Sequence, residues 1–306
     1  MSAAAAAVGG GLRAVAVNML GVVEHPSLGG TPYRVDAEGR PYLPVGDGGL
    51  VLGVRLGDPV SALAGDHVAP GACLVHPDPA ARLALVSYGC LGNEVEVRTG
   101  RAAGARGAVI GKRGEDGRLI TGFRQEDLAR MRPGDEVTVR ACGQGWQPRV
   151  PPGAVAMNAG PGLLDALPVS WPGHGPMTVG VRMILPSKVA GNGIGRPAAA
   201  WDLDLQLAAG ASGAGVPGVA TGDGEMPGAD GLLLGDLVAV TDLDARHNMG
   251  YRRGWLTVGV VVHGTSPLPG HGPGITPLLT GPVSVLSAAA DATGHTGLTE
   301  WGVGLQ

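Results

Sequence analysis

Short apolar runs in period-two alternation recur along most of the chain, each closed by Gly, Pro or Asp. Residues 12–23 alternate through Val15, Val17 and Met19, and residues 50–56 through Leu50, Leu52, Val54 and Leu56. Similar runs follow at 82–87, 94–98, 108–112, 136–141, 177–185, 202–207, 237–242, 255–262 and 283–286. Side chains on a strand point alternately to its two faces, so this pattern with β-branched residues predicts strands. Close, regular spacing of such runs predicts sandwiches or barrels rather than βαβ units. Only two helices are expected, both short: 125–131, stopped by Pro133, and 162–167, before Pro168. The expected fold is therefore mainly β, with two β-rich halves of barrel or sandwich character and few short helices.

Proline and glycine place the divisions. The stretch 151–176, which contains WPGHGP, is the expected linker between an N-terminal domain at 11–150 and a C-terminal domain at 177–306. Residues 1–10 read as a disordered leader, and 208–230, rich in Gly and Ala, as a long surface insertion.

Composition narrows the function classes. Hydrophobic residues make up 44% and charged residues 16% of 306, which excludes a disordered chain. The 56 glycines and 25 prolines follow no short period, so they act as turn punctuation rather than as a low-complexity tract. Net charge is −4 without a basic stripe, which argues against a nucleic-acid partner. No run approaches the ~18 apolar residues of a membrane-spanning helix. Three cysteines without a C-x-x-C pair fit a reducing compartment, so a cytoplasmic protein is expected. Strands rich in Val and Leu with few surface charges point to a homo-oligomer.

Five segments carry candidate chemistry. In GDHVAPG (65–71), Asp66 and His67 sit at a turn; His67 is a candidate general base or ligand. On a regular strand these two side chains would point to opposite faces and could not share one site. In YGCLGNE (88–94), Cys90 is a candidate nucleophile with His67 as its base, Glu94 a candidate acid/base and Asn93 a candidate substrate contact. A buried free cysteine is equally a small hydrophobe. Residues 96–112 look like the KOW pattern, a Gly-punctuated hairpin of small SH3-like barrels, and are read as structural. In ILPSKVAGNGIG (184–195), Lys188 and Asn192 enter a glycine-rich turn whose N–H groups could bind an anion. Between 236 and 274, Asp242, His263 and His271 lie at strand ends and turns, where they could hold a divalent ion such as Zn²⁺ with a position left open.

Taken together, GDHVAPG, CLGNE (90–94), ARGAVIGK (105–112), ILPSKVAGNGIG, LGDLVAVTDLD (234–244) and VGVVVHG…GHGPG (258–274) resemble a family known as domain of unknown function 4438. The resemblance implies two linked parts and a soluble cytoplasmic protein, and it implies no activity. The residues themselves suggest an enzyme that hydrolyses a C–N or C–O bond, or does related chemistry, on a small polar molecule between the halves. His67, Glu94, Asp242, His263 and His271 would line the site, and a metal would assist. The alternative is a non-catalytic barrel that binds a small anion through Lys188 and Asn192.

Overall fold

The computed structural model describes residues 13–207, 228–291, 294–299 and 302–303. The leader at 1–10 and most of the 208–230 insertion, with Asp223 and Glu225, lie outside the described residues. The fold is mainly β, with short helices only. Six antiparallel strands close a barrel in the order Ala16–Val23, Glu136–Cys142, Glu94–Val97, Arg106–Arg113, Arg118–Gly122 and Gly71–Val75. Pairing of Val22 with Val75 and Val23 with Leu74 brings the last strand back to the first. Closure removes the free edges that would otherwise invite aggregation. The KOW-like segment is the hairpin that pairs Glu94–Val97 with Arg106–Arg113 inside this barrel.

The second half is a sheet running Val155–Ala156, Gly274–Pro282, Gly250–His263, Leu237–Asp244 and Met183–Pro186, with Leu203–Asp204 also paired to Gly274–Pro282. A smaller sheet joins Val169–Ser170, Met177–Val181 and Leu286–Ala290. The 151–176 stretch is thus threaded through the C-terminal half: it carries one strand of each sheet and the helix Pro161–Ala166.

Two expectations about elements are corrected. Residues 82–87 are not a strand but part of the helix Pro79–Tyr88. Asp78 caps it by accepting a hydrogen bond from Ala81 N, and Pro79 begins its first turn, a helix-start signal that outweighs the Val and Leu content behind it. The 283–286 run is largely a turn that leads into the strand Leu286–Ala290. The strands Gly71–Val75, Arg118–Gly122 and Gly274–Pro282 have too few alternating large apolar residues to stand out in the sequence.

One core runs through both halves. Cys73, Ile110 and Ile120 of the barrel are buried together with Val258, Val260 and Val262 of the second sheet. The approach is close at Gly111, where a Cβ would press into the Val262 side chain. Beside this seam, Lys112 is fully buried and spends its three ammonium donors. Nζ donates to Asn158 Oδ1 at 2.9 Å, Ala199 O at 2.7 Å and Ser87 O at 3.2 Å. Asn158, in a left-handed conformation (φ 55°), donates to Ala198 O and Pro277 O. A barrel lysine is thereby tied to three separate segments of the chain.

Burial lowers the Lys112 pKa from its ordinary value to about 8. Between about pH 8 and the usual lysine range, the unfolded chain keeps a proton that the folded chain has released. Stability should therefore rise with pH across that window. Urea unfolding at pH 7, 8, 9 and 10 checks this: wild type should gain stability relative to Lys112→Met as pH increases. A pH-independent difference between the two proteins would refute the assignment.

Candidate metal centre

The halves meet at a group of histidines and carboxylates, and backbone hydrogen bonds put them there. The segment holding Asp66 and His67 is stitched to the end of the strand Gly250–His263. His67 N donates to Thr265 O at 3.1 Å, and Gly264 N donates to Val68 O at 2.9 Å. His67 adopts a left-handed backbone (φ 51°), uncommon outside glycine and costly enough to mark a constrained site. This removes the strand geometry that would have turned Asp66 and His67 to opposite faces. Asp66 Oδ1 instead lies 2.7 Å from His67 Nδ1, though without the alignment of a good hydrogen bond.

A row of three strands supplies the other side. Asp204 pairs with Gly274, and Gly274 pairs with His263. The residue between Asp204 and His263 has no side chain, so their side chains meet over it: Asp204 Oδ1 lies 3.4 Å from His263 Nε2. Asp202, two residues along and therefore on the same face, puts Oδ2 2.8 Å from His263 Nε2. The loop after His263 returns His271. Its Nδ1 lies 2.9 Å from His67 Nε2 and 3.0 Å from Asp204 Oδ2.

These atoms form two overlapping triads, His67–Asp204–His271 and Asp202–Asp204–His263. In the first triad the three ligand atoms face one another, with His271 Nδ1 close to both His67 Nε2 and Asp204 Oδ2. Ligand atoms around a tetrahedral Zn²⁺ stand ~3.3 Å apart, given Zn–N distances of ~2.0–2.1 Å. The spacings in the first triad, 2.9, 3.0 and 3.9 Å, bracket that value. All donors are imidazole nitrogen or carboxylate oxygen, a set suited to Zn²⁺ and similar divalent ions. Asp204 Oδ1 is buried and accepts no hydrogen bond among the described residues, an open coordination position costly to leave unmet. These acidic and histidine groups could hold a metal.

A second ring of charge surrounds the triads. Asp66 Oδ2 accepts from Arg34 Nη1 at 2.7 Å and from Tyr42 Oη at 3.1 Å. Arg34, Arg113 and Arg118 all pair with the buried Asp47, which is thereby spent. Burial opposes the charge on Asp66, but the nearby His67 ring and hydrogen bonds from Ser266 and Arg34 outweigh it and hold the carboxyl well below the usual range. Asp202 behaves likewise: burial raises its pKa, while His263, Gly114 N–H and Arg113 lower it further. The paired change is on His263, where burial favours the neutral ring but Asp202 and Asp204 push the pKa upward. Burial and the charge on Asp66 raise the Tyr42 phenol to about 12. His67 and His263 are sealed off, while the His271 side chain stays 11% exposed, so solvent reaches the cluster past His271.

Two family models match consecutive parts of the chain. Residues 33–165 match the model described as domain of unknown function (DUF4438), N-terminal, and residues 166–296 match its C-terminal counterpart. The chain belongs to the DUF4438 family. The crystal structure of TM1086 is similar to this DUF4438 protein, with a TM-score of 0.83 at 31% identity over 93% of this chain and 95% of that one. No curated protein matches it. Among the described residues, no helix is long and apolar enough to cross a membrane.

Of the residues singled out in the sequence, His67, His263 and His271 come together in this DUF4438 chain. Others are placed elsewhere. Asp242 sits at a β-bulge with a left-handed backbone (φ 58°), exposed, accepting a hydrogen bond from Gly254 N. Gly254 lies near the opposite end of the strand from His263, and each strand residue adds ~3.4 Å, so Asp242 is far outside the reach of the histidines. Glu94 is exposed on the barrel and lies 3.5 Å from Arg106. Cys90 is buried beside Gln144, and burial pushes its thiol up to about 11, unfavourable for a nucleophilic thiolate. Asn93 is committed to backbone groups of Cys90 and Cys142. Lys188 is exposed on a short 3₁₀ turn. The backbone of Asn192 bonds Gly270 O and Asp204 N, so that turn braces the cluster.

Sequence reasoning missed Asp202 and Asp204. Their signal was present in WDLDL, two aspartates in alternation with leucine in an apolar strand, a pattern that buries both carboxylates on one face.

Gly274 is the most sensitive backbone position in the cluster, since a Cβ there would overlap the His263 ring. Gly274→Ala should destabilise the protein by ~1–3 kcal/mol through overpacking. Urea unfolding measures this, and an unchanged midpoint would show that His263 has room to move.

Proposed function

We propose that this protein is a metal-assisted hydrolase of a small polar molecule, acting on a C–N or C–O bond where the two halves meet. The observation that carries this reading is the grouping of His67 Nε2, His271 Nδ1 and Asp204 Oδ2 at a solvent-facing edge of a buried polar cluster. Three protein ligands with a position left open are characteristic of catalytic rather than structural zinc sites. A bound divalent ion there would polarise the scissile group or lower the pKa of water enough to make it a nucleophile.

The chain's own residues prepare that chemistry. Asp66 lies against the far side of the His67 ring, 2.7 Å from Nδ1, the place a carboxylate takes behind a metal-binding histidine. Arg34 and Tyr42 in turn fix Asp66. The loop carrying His271 admits the substrate, while the apolar core behind His67 and His263 excludes bulk water. Free cysteines at positions 73, 90 and 142 support a reducing, cytoplasmic setting.

Metal content of the purified protein and its hydrolysis of a panel of small amides and esters test the proposal. Wild type should carry a divalent ion and lose activity on chelation. His271→Ala should lose both, and Asp66→Asn should bind the ion about 10- to 100-fold more weakly. Hydrolysis that survives complete chelation would sink the metal-assisted reading.

A further inference from the structure

Building on the metal reading of the His67 triad, we infer that the cluster holds two divalent ions, with Asp204 bridging them. Asp204 directs its two oxygens to different histidine groups: Oδ2 lies 3.0 Å from His271 Nδ1, and Oδ1 lies 3.4 Å from His263 Nε2. Asp202 Oδ2, 2.8 Å from the same His263 nitrogen, completes a second set of three donors. The two sets share one carboxylate, with two histidines and Asp204 on one side and His263, Asp202 and Asp204 on the other. Bridging carboxylates belong to two-metal sites with ions ~3.5–4 Å apart. The rings of His67 and His263, one from each set, have centroids 5.0 Å apart, compatible with two neighbouring ions.

A further observation points to a ligand at the second position. Asp204 Oδ1 is aimed into it, buried and without a hydrogen bond among the described residues. His263 Nδ1 is turned to the backbone, 3.0 Å from Gly264 O and 3.3 Å from Gly274 N, so Nε2 is the ring nitrogen that faces Asp202 and Asp204. The missing side chain at Gly274 lets the His263 ring lie over the backbone there, within reach of Asp204. Neither set includes the carboxylate of Asp47, which three arginines already neutralise. Held by these two sets, a pair of ions would supply more than one ion alone, stabilising both the attacking and the leaving oxygen or nitrogen of a hydrolysis.

Metal-free full-length protein titrated with Zn²⁺ by calorimetry, with parallel elemental analysis, should bind two ions per chain. Asp202→Asn should bind one, and its thermal melt shows whether it remains folded. The wild type loaded with Mn²⁺ gives a readout that needs no variant: two bridged ions should produce a spin-coupled paramagnetic resonance spectrum. One Zn²⁺ per chain with an uncoupled Mn²⁺ spectrum would overturn the second site and leave the first standing. Two uncoupled ions would overturn the bridge, and failure to bind any ion would overturn both sites and the proposed function with them.

Discussion

Two carboxylates, Asp202 and Asp204, are buried on one face of a short strand inside an apolar core. Removing each from water costs several kcal/mol unless positive charge or hydrogen bonds compensate. Much of the local architecture supplies that compensation. His263 and His271 approach from one segment and His67 from another, and the Gly114 N–H is spent on Asp202. The histidines can gather only because Gly274 leaves a gap in the row of strands and because His67 accepts a left-handed backbone. An electrostatic demand is met by conformations that would be unfavourable by themselves.

The same demand explains why the halves form one body at this point. The barrel contributes Arg113 and Arg118, and the loops of the first half contribute Asp47, Asp66 and His67; the second half contributes Asp202, Asp204, His263 and His271. Charges from both halves are interleaved, so separating them would expose apolar surface and strand buried ions. The Lys112 network does similar work at a distance from the cluster, with donors committed to three segments. Buried polar networks of this kind are stabilising only when every member is satisfied, which ties local geometry to the integrity of the whole fold.

Cys90 and Asp242 illustrate the opposite case, in which reactive residue types serve packing and turns. Burial holds the Cys90 thiol in its neutral form, and Asp242 closes a bulge by accepting from Gly254 N. A glycine-flanked cysteine and an aspartate at a strand end look the same in sequence whether they face a pocket or an interior. The difference lies in what surrounds them after folding.

Alternation of apolar and polar residues by itself determined the mainly β class, because side-chain direction on a strand is a local property of the backbone. Turn residues likewise marked strand ends, but the helix start at Asp78 and Pro79 went unread because the Val and Leu content behind it reads as a strand. The histidines at 67, 263 and 271 were visible as candidates for the same reason: they stand at turns and strand ends. Only the tertiary structure decided which carboxylates join them. Asp204 reaches His263 through strand register across Gly274, a pairing between residues some sixty positions apart. Such register depends on the packing of the whole sheet, and no local pattern encodes it.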